Sequence, residues 1–84
     1  MRAVWDELQP YVEVRRRHVP IRPADRLLED LEIDDEDLED LAVRAATRAG
    51  RATSDWQSNP LNGSVVTVGD LVRLISLQPR VAAA

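Results

Sequence analysis

The chain has 84 residues, a net charge of −4, no cysteine and no phenylalanine. That length allows one small domain, and the missing cysteine excludes disulfides, thiolate chemistry and cysteine-based zinc sites together. No apolar run approaches the ~20 residues that span a bilayer, Asp6 and Glu7 interrupt any signal-peptide pattern, and the negative balance argues against general nucleic-acid binding. A cytoplasmic protein without a membrane segment is the expectation. Its one domain is expected over residues 1–79, followed by a flexible tail over 80–84.

Residues 3–17, "AVWDELQPYVEVRRR", place Val4, Trp5, Leu8, Tyr11 and Val12 at helical spacing. Asp6 and Glu7 lie early and Arg15, Arg16 and Arg17 late, which suits the helix macrodipole. Pro10 conflicts with the pattern, because a proline inside a helix removes a hydrogen bond at a cost of ~3 kcal/mol. The spacing on both sides predicts a helix that runs through Pro10 with a kink. The alternative is a helix that starts there.

Residues 18–25, "HVPIRPAD", contain Pro20 and Pro23 and read as an extended connection, since the residue before a proline avoids the α region. Asp25 is placed to cap one turn over "RLLEDL", with Leu27, Leu28 and Leu31 expected to plug the core. The second helix is expected to start with Asp34 or Asp35 as its N-cap. Leu38, Leu41, Ala42, Ala45 and Ala49 then form its apolar face, and Gly50 stops it. Arg44, Arg48 and Arg51 lie near its negative end.

Residues 52–64, "ATSDWQSNPLNGS", are rich in turn formers. Thr53 or Ser54 is expected to open a short turn that carries Trp56, and "NPLNG" reads as two turns. Thr67 with Asp70 three residues on forms a capping-box pattern for a last helix ended by Pro79, with Val68, Leu71, Val72, Leu74 and Ile75 inward. No strand pair and no repeat are expected. The fold class is therefore all-α, with Leu38, Leu41, Leu71, Leu74 and Ile75 holding the core.

Charge is concentrated where the second helix begins. Nine carboxylates occupy the twelve positions from Glu29 to Asp40. Like charges at i,i+4, such as Glu36 and Asp40, cost a few tenths of a kcal/mol each. A solvated face that aids solubility would account for them. So would a docking face for a basic protein surface, where complementary charge raises on-rate and selectivity. A calcium loop does not fit: counted from Asp30, the sixth position is Asp35 rather than glycine, and the twelfth is Leu41 rather than glutamate. Arg15, Arg16 and Arg17 read as a helix-end set available to pair with the acids. His18 is the only histidine and reads as a surface residue. Trp5 and Trp56 read as core plugs. No residue set for nucleophilic, metal-assisted or phosphate-binding chemistry is present, so neither an enzyme nor a small-molecule substrate is expected.

The order and spacing of two segments resemble acyl carrier proteins. "EDLEIDDEDLEDL", residues 29–41, resembles the carrier segment in which an acidic pair and a leucine precede Asp-Ser-Leu at the start of the second helix. "TVGDLVRLI", residues 67–75, is similar to the carrier closing helix. The likeness covers roughly residues 4–77. It implies an acyl-carrier-like bundle of three to four helices with a long first loop, and an acidic recognition helix. Carriers bear phosphopantetheine on the serine. Here Asp34 matches the aspartate, but Asp35 stands in the serine position and Glu36 in the leucine position. The chain looks most like small bacterial carrier-like proteins that lack the attachment serine.

No cofactor is therefore expected. Asp34, Asp35, Glu36, Asp37, Glu39 and Asp40 are the expected partner-binding residues. Two other readings stay open. One is a genuine acyl or peptidyl carrier with a displaced attachment serine, although Ser54, Ser58, Ser64 and Ser76 all lie away from the second helix. The other is an acidic inhibitor or immunity protein of a basic enzyme.

Overall fold

The computed structural model describes residues 2–14 and 21–81, with side chains described for 2–11 and 21–81. Among the described residues three α-helices follow one another, α1 (Arg2–Val14), α2 (Asp35–Arg48) and α3 (Val68–Leu77), with one 3-10 turn at Trp56–Ser58. Among the described residues there is no strand, only two isolated bridges, Arg26 with Thr67 and Arg51 with Arg80. The described residues form an all-helical fold, and α2 packs against both α1 and α3. No described helix is long and apolar enough to cross a membrane.

Helix α1 runs through Pro10 rather than starting at it. Pro10 is exposed, and its missing N–H leaves the Asp6 carbonyl without its usual helical donor. Val4 and Leu8, one turn apart, are fully buried, while Trp5 and Tyr11 are half-buried against the core. The expectations for Val12, for the Arg15–Arg17 charge set, and for His18 and Pro20 in the connection lie outside the described residues.

The connection into α2 is where local reading and structure differ most. Asp25 faces backwards: its Oδ2 accepts from the Arg22 N–H at 2.8 Å. The turn from Arg26 is closed instead by Asp30, whose Oδ2 accepts from the Arg26 N–H at 2.7 Å. Leu27 and Leu31 are buried as expected, but Leu28 is 61% exposed. The Leu27 N–H donates to Val66 O at 2.8 Å, which docks that side of the turn against the rest of the fold and leaves Leu28 facing outward. Ile33, not expected in the core, takes the third apolar position at 2% exposure. Glu32 sits in the left-handed region at φ 55°, which turns the chain so that the Ile33 N–H reaches the Leu27 carbonyl at 2.9 Å.

Helix α2 has local start and stop signals that work as written. Asp34 is the N-cap, and its side chain accepts from the Asp37 N–H at 2.9 Å. At the far end Gly50 adopts φ 70°; its N–H reaches Thr47 O at 3.1 Å, and the Arg51 N–H reaches Ala46 O at 2.8 Å. This is a Schellman closure, and it requires the left-handed residue that glycine supplies without strain. Leu41, Ala42, Ala45 and Ala46 are buried, with Leu38 and Ala49 half-buried beside them. Three small side chains on one face let neighbouring elements approach the α2 backbone closely.

Helix α3 opens with the capping box that Thr67 and Asp70 suggest. The N–H groups a helix start leaves unpaired are used to dock the first connection: Val68 N donates to Asp25 O and Gly69 N to Pro23 O, both at 2.9 Å. A Cβ at Gly69 would stand 3.2 Å from Pro23 O, so glycine keeps that approach open. Val68, Leu71, Leu74 and Ile75 complete the core, with Val72 half-buried.

Between α2 and α3, neither Thr53 nor Ser54 opens the short turn. Asp55 precedes it in the left-handed region at φ 57°, and no side chain caps it. Trp56 is half-buried, and its Nε1 donates to Thr53 O at 3.0 Å. "NPLNG" does form two turns, closed by Asn62 N to Asn59 O at 3.0 Å and Ser64 N to Leu61 O at 2.9 Å. The segment expected to fray from Arg80 begins paired. Arg80 bridges Arg51, and the Val81 N–H donates to Gly50 O at 2.9 Å; residues 82–84 lie outside the described residues.

Candidate protein-docking surface

Eight of the nine carboxylates, all but Glu32 in the connection, divide by what they touch. Glu29 forms an ion pair with Arg26, and Asp30 is engaged by Arg26 through both its backbone N–H and its guanidinium, the latter at 3.6 Å. Asp34 is committed to the α2 cap. Asp35, Glu36, Asp37, Glu39 and Asp40 occupy the first turn and a half of α2, and all five are exposed. Among the described residues no cation lies within ion-pair distance of any of these five.

Position on the helix explains the exposure. The buried face of α2 is set by Leu41, Ala42, Ala45 and Ala46. At about 100° per residue, Glu36, Asp40, Val43 and Thr47 fall on the opposite side, with Glu39 beside them. Asp35 and Asp37 flank the helix start. Negative side chains here are favoured by the positive end of the helix dipole, which offsets part of their mutual repulsion.

Among the described residues, the two arginines within α2 are held by α1. Arg44 Nε and Arg48 Nη2 both reach the Glu7 carboxylate on α1, at 3.0 and 3.1 Å. Glu7 is the more enclosed partner, with 12% of its side chain exposed against about half of each arginine. Arg44 also donates to the Tyr11 hydroxyl at 3.4 Å. Desolvation of the Arg44 guanidinium works against its charge, and the bonds and charge of Tyr11 and Glu7 outweigh it, so its pKa lies above the ordinary value. Arg73 pairs with Asp70 within α3. Helix α2 is thus acidic and open at its start, and basic and clasped to α1 at its end.

The sequence reading gave two residues no part in this site. Val43 is 42% exposed on the same side as Glu36 and Asp40. Its position seven residues after Glu36 was the available signal. Glu7 was read as an early acid of α1 that also interrupts a signal-peptide pattern, and nothing local to α1 names Arg44 and Arg48 as its partners.

Other features do not build a second site around these residues. Among the described residues no three His, Asp or Glu side chains converge to hold a metal ion. An open trough lined by Arg2, Trp5, Asp6 and Gln9 lies along α1, away from the acidic start of α2. Asp35 is the first residue of α2 and is exposed. Ser58 lies in the 3-10 turn and Ser76 in α3, while Ser54 and Ser64 lie in the connection between α2 and α3. No family model, curated protein or solved structure matches the chain.

Proposed function

We propose that this chain is a non-catalytic, acyl-carrier-like interaction module. In this reading three to four helices form a carrier-like bundle whose second helix docks a basic protein surface, and no prosthetic group is attached. One observation supports it most: five exposed carboxylates at the start of α2 have no described cation of their own, while Arg44 and Arg48 on the same helix are taken by Glu7. Uncompensated like charge on neighbouring turns is unfavourable in the isolated molecule. A basic partner reverses the sign of that energy and speeds encounter. Asp35 offers a carboxylate where a carrier needs a hydroxyl to form the phosphodiester, so the surface remains while the attachment chemistry does not.

The test is affinity capture from the source cell with the immobilised wild-type chain and with a Glu36→Gln, Glu39→Gln, Asp40→Asn variant. The wild type is expected to retain a protein with a basic surface that the variant releases at low salt. Equal retention by both would overturn the docking role. Intact mass after incubation with coenzyme A and a broad-specificity phosphopantetheinyl transferase is expected to stay unchanged. A pantetheine-sized gain would instead establish a carrier with a displaced attachment serine.

A further inference from the structure

The chain contains two asparagines, three residues apart, in chemically opposite settings. Asn59 is 6% exposed, and its amide is fully engaged. Nδ2 donates to Leu74 O and to Gln78 Oε1, each at 2.9 Å, while Oδ1 accepts from the Leu61 N–H at 3.0 Å. The residue after it is Pro60, whose nitrogen carries no hydrogen. Asn62 is exposed, and its side-chain amide has no hydrogen-bond partner among the described residues. The residue after it is Gly63, also exposed, whose backbone N–H is likewise without an acceptor there.

Gly63 adopts φ 81°, and no atom beyond its two chain neighbours stands within 4 Å of where a Cβ would be. The side-chain flank of Gly63 is open to the rest of the fold, and glycine adds no bulk of its own beside its nitrogen. The segment between the two turns is held by single backbone bonds, Asn62 N to Asn59 O and Ser64 N to Leu61 O.

We infer that Asn62–Gly63 is a site of spontaneous intramolecular deamidation, which converts Asn62 to aspartate and isoaspartate in the folded protein. The Gly63 amide nitrogen loses its proton to water or hydroxide and attacks Asn62 Cγ, forming the N–Cγ bond. The Cγ–Nδ2 bond breaks, and the amide nitrogen leaves as ammonia once protonated. The product is a five-membered succinimide. Water then opens either of its two C–N bonds, giving aspartate or isoaspartate, so that one water is consumed for each ammonia released. Asn59 cannot follow this route, because Pro60 supplies no attacking N–H. The product carries one more negative charge than the original −4. In the isoaspartate form it also inserts a methylene into the backbone beside the Asn59 amide.

The experiment holds the intact folded chain in mildly alkaline buffer and follows intact mass, released ammonia and a peptide map. The expected result is loss of one amide per chain, mapped to Asn62, with both aspartate and isoaspartate present and a rate that rises with pH. The Asn62→Gln variant is expected to keep its mass, because the longer side chain closes the ring poorly. A short peptide containing Leu-Asn-Gly-Ser serves as the reactive reference. Unchanged mass of the folded chain while the peptide is fully converted would overturn the inference. So would an amide loss that maps elsewhere or persists in Asn62→Gln.

Discussion

The side-chain amide of Asn59 donates to Gln78 Oε1 across 2.9 Å, and both residues are buried. Gln78 passes the connection on: its Nε2 donates to Ala52 O and Ser54 O, both at 3.0 Å. Asn59 meanwhile satisfies Leu74 O in the last turn of α3. Two amides thus fasten the α2–α3 connection to the end of α3, and no buried side-chain polar atom is left unpaired among the described residues. Such a network is worth most when it is complete, because each abandoned partner keeps its desolvation cost. Asn59→Ala is expected to destabilise the fold by about 3 kcal/mol, since it strands Gln78 Oε1, Leu74 O and the Leu61 N–H. Asn62→Ala, on the exposed turn, should change stability by no more than about 0.5 kcal/mol. Urea unfolding midpoints of the two variants check the contrast.

Glu7 holds α1 to α2 through two arginines at once. Exposed single pairs contribute ~0–1 kcal/mol, and geometry with an enclosed carboxylate reaches the upper part of that range. Glu7→Gln is expected to cost about 1 kcal/mol, with the difference shrinking as salt is added. The Arg2–Asp6 pair is 3.8 Å long, with the Arg2 side chain 93% exposed, and Asp6→Asn should leave stability unchanged. Thermal unfolding at low and high ionic strength distinguishes the two.

Asp70 gives the fold a defined response to acid. Backbone N–H donation from Thr67, and then from Val66, holds its pKa below the ordinary 3.8, against a smaller opposing effect of desolvation; the Thr67 side chain and Arg73 add to the lowering. The folded state therefore binds this proton more weakly than the unfolded chain. The associated stability is complete above the ordinary value and is lost as the pH falls below it through the folded value. Asp70→Asn should be less stable than wild type near neutrality, and the gap should close in acid. Unfolding midpoints measured from neutral pH down to about pH 2 report this directly.

Leu27 and Leu28 are adjacent in sequence and opposite in consequence. Leu27→Ala removes a side chain that is 2% exposed and is expected to cost about 3 kcal/mol. Leu28→Ser replaces one that is 61% exposed and is expected to fall within about 0.5 kcal/mol of wild type. Chemical denaturation of the pair tests which leucine the turn buries.

What could be read from the sequence was what the chain encodes locally. Asp34 and Gly50 bound α2 because an acidic N-cap and a left-handed glycine act on their own helix. Thr67 and Asp70 are three residues apart and find each other without help from the rest of the fold. The two turns of "NPLNG" also need only their own residues. The misread features depend on distant partners or on backbone states that residue type does not announce. The Leu27 N–H is fixed by Val66 O, far along the chain, and this helps decide which leucine enters the core. Asp25 and Asp30 are equally good capping acids, and tertiary docking assigns their turns. Glu32 and Asp55 occupy left-handed positions where glycine would have been the signal. Asn59 and Gln78 are polar residues in a polar-looking segment, and only the assembled fold makes them interior. On the candidate surface, the density of carboxylates was plain in the sequence. The separation of five open acids from those spent on Arg26 or on the α2 cap was not.

The central claim is that the face at the start of α2, rather than overall charge, is what a partner reads. Its most direct test is the binding of the captured partner to three proteins at low and high salt: wild type, Glu36→Gln with Glu39→Gln and Asp40→Asn, and Asp6→Asn with Glu29→Gln and Asp55→Asn. Both triple variants change the net charge equally, so any difference belongs to position. The account predicts that the α2 variant binds about tenfold more weakly at low salt, with less contrast at high salt, while the second variant stays close to wild type. Equal weakening of both variants, or no weakening of the first, would contradict it.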